Sequence, residues 1–202
     1  MRTLVIDSAT EACSVALFDG GEWVASNYEV LGRGHAERLV PMIAELPDKG
    51  RAARIAVSLG PGSFTGVRMG LAAARALGLA WRADVCGYPT LALVAAMGRE
   101  AHPGPVSVCM TGGHGEWFVQ DFDADGLPEI EHSSVTPGQA ARAAQHDIVA
   151  GSQAAALVKR RGRGEALPLL PDARAFPLLP TVLLTASLAA LYGRPPDARL
   201  PA

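Results

Sequence analysis

The sequence predicts an α/β fold in two lobes, and three observations carry that prediction. Short apolar runs of strand length alternate with helical runs through the first half, from residues 3–6 to 89–97. A stretch rich in Gly and Pro, G-R-E-A-H-P-G-P over 98–105, then interrupts the pattern. Beyond it a series of strands starts again at Val106, which predicts a weak internal duplication. The expected division is therefore 1–98 and 99–202. At 202 residues the chain is long enough for one or two domains with a real core. Its 49% hydrophobic and 19% charged content is that of a globular protein. A net charge of −2 provides no general attraction for nucleic acid, so any RNA would have to be held by a partner.

The first lobe opens with a short apolar run closed by Asp7, the pattern of a buried strand. Cys13, Val15 and Leu17 alternate with Ser14, Ala16 and Phe18 to give a second strand, Asp19-Gly20-Gly21 is a hairpin turn, and 22–30 is a third strand. After a break at 32–34, Ala36, Leu39, Val40, Ile43 and Leu46 recur at helical spacing. Pro41 within that run is expected to kink the helix or begin a new one, and His35 is expected to make a contact at the helix start. A basic turn at 49–54 leads to the strand R-I-A-V-S-L at 54–59. An alanine-rich helix follows at 67–81, then a strand at 84–88 and a helix at 89–97 with Pro in its first turn.

Between the fourth strand and its helix stands the loop Ser58-Leu59-Gly60-Pro61-Gly62-Ser63-Phe64-Thr65-Gly66-Val67-Arg68-Met69-Gly70. Gly60 and Gly62 around Pro61 demand a sharp turn with a residue at positive φ, and Ser63 and Thr65 are natural helix caps. A strand-loop-helix junction of this kind gathers free amides and the positive helix end, which suits an anion, but it serves close packing equally well. It is not a P-loop, because no lysine follows Gly66, and its glycine spacing misses the dinucleotide fingerprint by one residue. In the helix, Gly66, Gly70, Ala73, Ala74 and Leu77 lie near one face. Two glycines there cost about 1 kcal/mol each relative to alanine. Packing against the chain's own sheet would offset that cost, and so would a helix interface with another subunit.

The second half reads as strands at 106–110, 117–122 and 130–135, a short helix from Thr136-Pro137 through Ala144, a strand at 148–150 and a helix at 154–159. Lys159-Arg160-Arg161-Gly162-Arg163 is read as a solvated helix end rather than an RNA patch. Residues 167–180 are proline-rich and irregular, 181–192 a final apolar helix expected to pack back on the first lobe, and 195–202 a tail. Cys13, Cys86 and Cys109 lie in strand-like runs without a Cys-x-x-Cys pair, which predicts buried reduced thiols. The start Met1-Arg2-Thr3 reaches charge too soon for a signal peptide, and no apolar run reaches membrane-spanning length. A cytoplasmic protein is expected.

The pattern Gly60-Pro61-Gly62-Ser63-Phe64-Thr65-Gly66 with Arg68 and Gly70 resembles the signature of the bacterial TsaB (YeaZ) family. Asp7-Ser8-Ala9-Thr10-Glu11-Ala12-Cys13-Ser14-Val15-Ala16 matches that family's opening, and His35-Ala36-Glu37-Arg38-Leu39-Val40-Pro41 resembles its following helix. The likeness is dense over residues 1–97 and thin beyond. It implies an actin-like ATPase fold (ASKHA, ribonuclease H-like) in two lobes, the second reduced, which the strand–hairpin–strand–helix–strand–helix–strand order also suits. It implies a catalytically silent subunit required for N6-threonylcarbamoyladenosine at position 37 of tRNAs that read codons starting with A. The implied partners are TsaD and TsaE, with tRNA reached only through the complex, a possible homodimer, and no cofactor or metal of its own. For pairing, the resemblance points to His35, Leu39, Met42 and Ile43 on one helix and Gly66, Met69, Gly70, Ala73, Ala74 and Leu77 on the other. On that reading Gly70→Leu abolishes pairing and leaves the fold intact.

Asp7, Ser8 and Thr10, with Gly60, Gly62, Ser63 and Thr65, resemble a vestigial phosphate site of the actin-like superfamily. The alternative is that Asp7, Ser8 and Thr10 only bond a tight turn. Family members carry Asp-Ala-Arg before Gly-Glu-Val-Tyr at the start of the second lobe. Here Thr111 stands for the acid and Gly113 for the arginine, and the usual C-terminal Tyr-Leu-Arg is reduced to Pro196-Asp197-Ala198-Arg199-Leu200. No two of the five histidines are four apart, unlike the His-x-x-x-His of TsaD, and Ser63 lies in no Gly-x-Ser-x-Gly elbow that would join it to His35 and Asp7 for proteolysis. A small independent ATPase or sugar-kinase-like enzyme using Asp7, Thr10 and the 60–66 loop is the other function the residues allow.

Overall fold

The structure, a computed structural model, describes residues 1–32 and 34–193. The first sheet is built from β1 (Arg2–Asp7), β2 (Ala12–Asp19), β3 (Glu22–Val30), β4 (Arg54–Ser58) and β5 (Asp84–Tyr88), in the order β3-β2-β1-β4-β5. β1 pairs antiparallel with β2, placing Asp7 opposite Ser14, and parallel with β4, placing Ile6 opposite Val57. The second sheet repeats this plan with β6 (Val106–Thr111), β7 (Trp117–Phe122), β8 (Ser133–Val135), β9 (Ile148–Ala150) and β10 (Glu165–Leu167), in the order β10-β9-β6-β7-β8. In each, a three-strand antiparallel meander is extended by two parallel strands, so the expected duplication is present in the topology. The second copy is the smaller: β8, β9 and β10 have three residues each, against nine in β3 and five in β4 and β5.

Alternation along β1 sets the layers. Leu4 and Ile6 face a core shared with α1 (His35–Ala44) and α2 (Phe64–Trp81), while Val5 faces α3 (Thr90–Ala101). Both sheets pack on α3, and Leu91 through Ala96 are all buried between them with Val106, Val108, Met110 and Phe122. A helix apolar all round is what a position between two sheets requires. On the outer face of the second sheet, α4 (Pro137–Ala143) and α5 (Ala154–Arg161) bury Ala140 and Leu157 beside Cys109, Val119 and Val149. Thr136 caps α4 through a reciprocal box with Gln139. Among the described residues no helix is long and apolar enough to cross a membrane.

Several expectations are corrected. Residues 181–192 are not a helix: a 3-10 turn at Thr181–Leu183 gives way to an extended strap. Thr185 exchanges two backbone bonds with Gly87 (2.8 and 3.0 Å), and the Leu191 N–H bonds the Leu59 carbonyl at 2.8 Å. These partners on the first lobe outcompete the local bonds of a short helix that begins with Thr and Val after Pro180. α1 runs as one helix through Pro41. β8 starts at Ser133, because the Ile130 carbonyl is taken by the Gln120 side chain at 2.8 Å. α3 continues to Ala101, and β10 takes in Leu167, the first residue of the stretch that reads as irregular. Arg161 donates to the carbonyls of Ala144 and His146, and Arg163 pairs with Asp147, in keeping with a helix end. The segment 195–202, with Pro196 to Leu200, lies outside the described residues.

Candidate functional site

Because β1 and β4 are parallel neighbours, the turn after β1 and the glycine-rich loop after β4 emerge side by side. The ends of parallel strands are where α/β proteins place their sites. The two loops interlock. The Ser63 N–H bonds the Ala9 carbonyl at 2.6 Å, and the Ser8 hydroxyl donates to the Gly66 carbonyl at 2.9 Å. A Cβ at Gly62 would stand 2.0 Å from the Ala9 oxygen, and one at Gly66 2.1 Å from the Ser8 oxygen, so only glycine permits this approach. Gly60 supplies the positive φ, +87°, at the turn, ahead of a cis peptide to Pro61.

The polar side chains of these loops bond their own backbone. Asp7 has no exposed surface; its carboxylate accepts from the Ala9 N–H at 3.0 Å and the Tyr88 hydroxyl at 3.3 Å. Burial pushes its pKa up to about 7, against the pull of those two bonds. Thr10 accepts from the Ala12 N–H at 3.2 Å, and Ser63 caps α2 by accepting from the Gly66 N–H at 3.3 Å. Thr65 is exposed on the first turn of α2.

In front of these loops lies a cleft of about 830 Å³ between the lobes. Thr10, Gly62 and Ser63 line one wall, and Thr111, Gly113 and Glu116 the other. The positions where family members carry an acid and an arginine are therefore on the cleft wall. Asp7 is beneath this surface and does not line it. Among the described residues Arg68 is the one lysine or arginine of the lining, and its guanidinium is already engaged: it lies 3.6 Å over the Phe64 ring and its Nε donates to the Tyr192 hydroxyl at 3.3 Å. Phe64 and Tyr192 also stack, with ring centroids 5.8 Å apart, so the strap closes one end of the cleft.

The residues expected at a subunit interface are mostly internal in this chain. His35, Leu39, Met42, Ile43, Gly66, Gly70 and Ala74 are buried in this chain, and Met69, Ala73 and Leu77 are half-buried. The His35 imidazole sits 3.4 Å from the Ala12 carbonyl. A Cβ at Gly70 would fall 2.6 Å from the Ser8 hydroxyl, so Gly70→Leu damages the fold itself. The outer faces of α1 and α2, which pack together, instead present Val40, Ala72, Ala76 and Leu79, with Val40 60% and Leu79 85% exposed. Helical periodicity identifies the apolar face, and the apolar face is the inward one.

Cys13 and Cys109 are buried thiols, pushed up to about 12 by burial, and Cys86 is half-buried; all three are free. Two groupings escape sequence reasoning because distant segments form them. One is the Phe64–Arg68–Tyr192 stack. The other is a cluster of Asp121, Glu129 and His146.

Comparison with known proteins agrees with this architecture. Residues 28–143 match the family model "TsaD: tRNA N6-adenosine threonylcarbamoyltransferase". The chain is 42% identical over 100 residues to the tRNA threonylcarbamoyladenosine biosynthesis protein TsaB of Escherichia coli, covering 47% of this chain and 43% of that one. It is 32% identical over 106 residues to the protein of the same name from Bacillus subtilis, covering 49% and 45%. The chain thus spans less than half the length of the curated relatives it matches. The structure of YeaZ from Pseudomonas aeruginosa superposes with a TM-score of 0.75 at 30% identity, over 88% of this chain and 89% of that one. The ethanolamine utilization protein EutJ from Carboxydothermus hydrogenoformans, at 11% identity and a TM-score of 0.50 over 88% of each chain, shares the fold alone. With a family model over more than half its length and a 30% identical structure covered almost throughout, the chain belongs to the TsaB (YeaZ) family, in a two-lobed actin-like fold.

Proposed function

We propose that this chain is a non-catalytic partner of TsaD in the threonylcarbamoylation of adenosine 37 of tRNAs reading codons that start with A. A TsaC-type synthase would make the threonylcarbamoyl-adenylate, TsaD would transfer the group, and TsaE would drive an ATP-dependent reset. The work of this protein would be cytoplasmic, and it would reach tRNA only through the complex. Residues 1–98 would carry the partner-binding face and 99–202 a degenerate lobe. The observation that carries the reading is the outer face of α1 and α2, where Val40 and Leu79 stand in water beside exposed alanines. Small residues let a second helix approach closely, and a leucine and a valine among them would be covered when it does. Catalytic silence is supported by the cleft: Asp7 is buried, the loop hydroxyls bond backbone, and Arg68 is stacked between aromatic rings. Free of TsaD the same face would suit a homodimer. Reconstitution tests the reading: a mixture of the synthase, TsaD, TsaE, ATP, threonine, bicarbonate and tRNA should form the modified nucleoside only when this chain is added. Equal product without it rejects the proposal.

A further inference from the structure

We propose that Asp121, Glu129 and His146 form a binding site for a divalent transition-metal ion of the zinc or manganese class. They come from separate segments: Asp121 from β7, Glu129 from the loop after it, and His146 from the loop between α4 and β9. One donor atom of each lies within 4.8 Å of the other two. The Glu129 carboxylate and the His146 Nε2 are 2.7 Å apart. Ligand atoms around zinc are separated by roughly 3.3 Å, given bonds of about 2.0–2.1 Å. The Glu129–His146 pair therefore opens by about half an ångström as an ion enters, and exposed Glu129 and half-buried His146 draw towards Asp121 from within 4.8 Å.

The arrangement is held from behind. Asp121 is 1% exposed, with one oxygen bonded by the Ser107 hydroxyl and the other by the Gln145 N–H at 3.2 Å. The same Ser107 oxygen accepts the His146 N–H at 3.1 Å, so one hydroxyl positions two of the three donors. The Glu129 N–H bonds the Asp121 carbonyl at 3.0 Å, and Arg161 holds the His146 carbonyl at 2.7 Å. Outer partners that fix the ligands in this way are a regular feature of metal sites.

A second, electrostatic observation points to a cation. Among the described residues Asp121 makes no ion pair, and Arg161, which lies within electrostatic reach, gives its bonds to the carbonyls of Ala144 and His146. A divalent ion between the three donors would add a full cation to a carboxylate that is otherwise held by neutral hydrogen bonds. An imidazole beside two carboxylates suits zinc or manganese, whereas magnesium and calcium prefer oxygen alone. Glu129 is exposed and His146 half-buried, which leaves the donors open to an ion from solvent.

Calorimetric titration of the full chain with zinc chloride, manganese chloride and magnesium chloride tests the site, repeated on Glu129→Gln and His146→Gln. Neither variant disturbs buried Asp121, and thermal melts confirm that each is folded. The visible absorption of added cobalt(II) gives a second readout. The expected result is one zinc or manganese ion per chain, no heat with magnesium, and at least about tenfold weaker binding with loss of the cobalt bands in each variant. Failure of both zinc and manganese to bind, or unchanged affinity and cobalt bands in both variants, overturns the proposal.

Discussion

Asp7 lies without exposed surface beneath the turn between β1 and β2, and burial raises its pKa from 3.8 to about 7. An acid raised on folding binds more protons folded than unfolded, so its contribution to stability falls as pH rises from about 4 to about 7. Asp7→Asn removes that loss, because an amide still accepts from Ala9 and can donate to the Tyr88 oxygen. Urea unfolding should find the variant about 1–3 kcal/mol more stable than wild type at about pH 8, with the advantage shrinking towards about pH 4. A variant less stable at the higher pH contradicts this account of the carboxyl. Gly62 works by what it lacks. Gly62→Ala forces a methyl against the Ala9 carbonyl and should cost about 2–4 kcal/mol in the same measurement. The need for glycine was legible in the loop; the identity of the atom it avoids was not, because that atom comes from the turn after another strand.

Helices α1 and α2 show how far periodicity reaches. The sequence spacing located both, and it pointed to their apolar faces, which the structure turns inward on β1 and β4. On the proposed reading a partner touches the opposite face, where Val40 and Leu79 are exposed among polar side chains and alanines. Leu79→Glu should leave the melting curve unchanged within about 0.5 kcal/mol, since the side chain is 85% exposed, and should abolish pairing on this face. The strap at 184–193 was misread for a complementary reason. Its leucines and alanines fit a helix locally, but its bonds go to Gly87 and Leu59, more than 90 positions earlier, which no local pattern reveals. Ala189→Pro separates the two conformations. In an exposed position outside any helix it should cost less than about 1 kcal/mol by denaturant unfolding, whereas the interior of a helix would lose about 3 kcal/mol.

Across the whole molecule, two sheets of one plan enclose α3, and the cleft between them opens at the strand ends where a nucleotide-binding relative would place phosphates. In this chain the glycines pack the two loops together, and the strap's Tyr192 engages Arg68 of the cleft. On the proposed reading the surface left for biological work is the outer face of α1 and α2. That division was partly legible: the motifs named the family and the fold, while the departures at Thr111 and Gly113 acquired a place only once both lobes were assembled around the cleft. The most direct test of the account is size-exclusion chromatography of this chain with TsaD from the same organism, at equal concentration, beside Leu79→Glu. A stable one-to-one complex with the wild type and two separate peaks with the folded variant are the predicted result. Separate peaks with the wild type, with TsaE and ATP also present, would contradict the central claim.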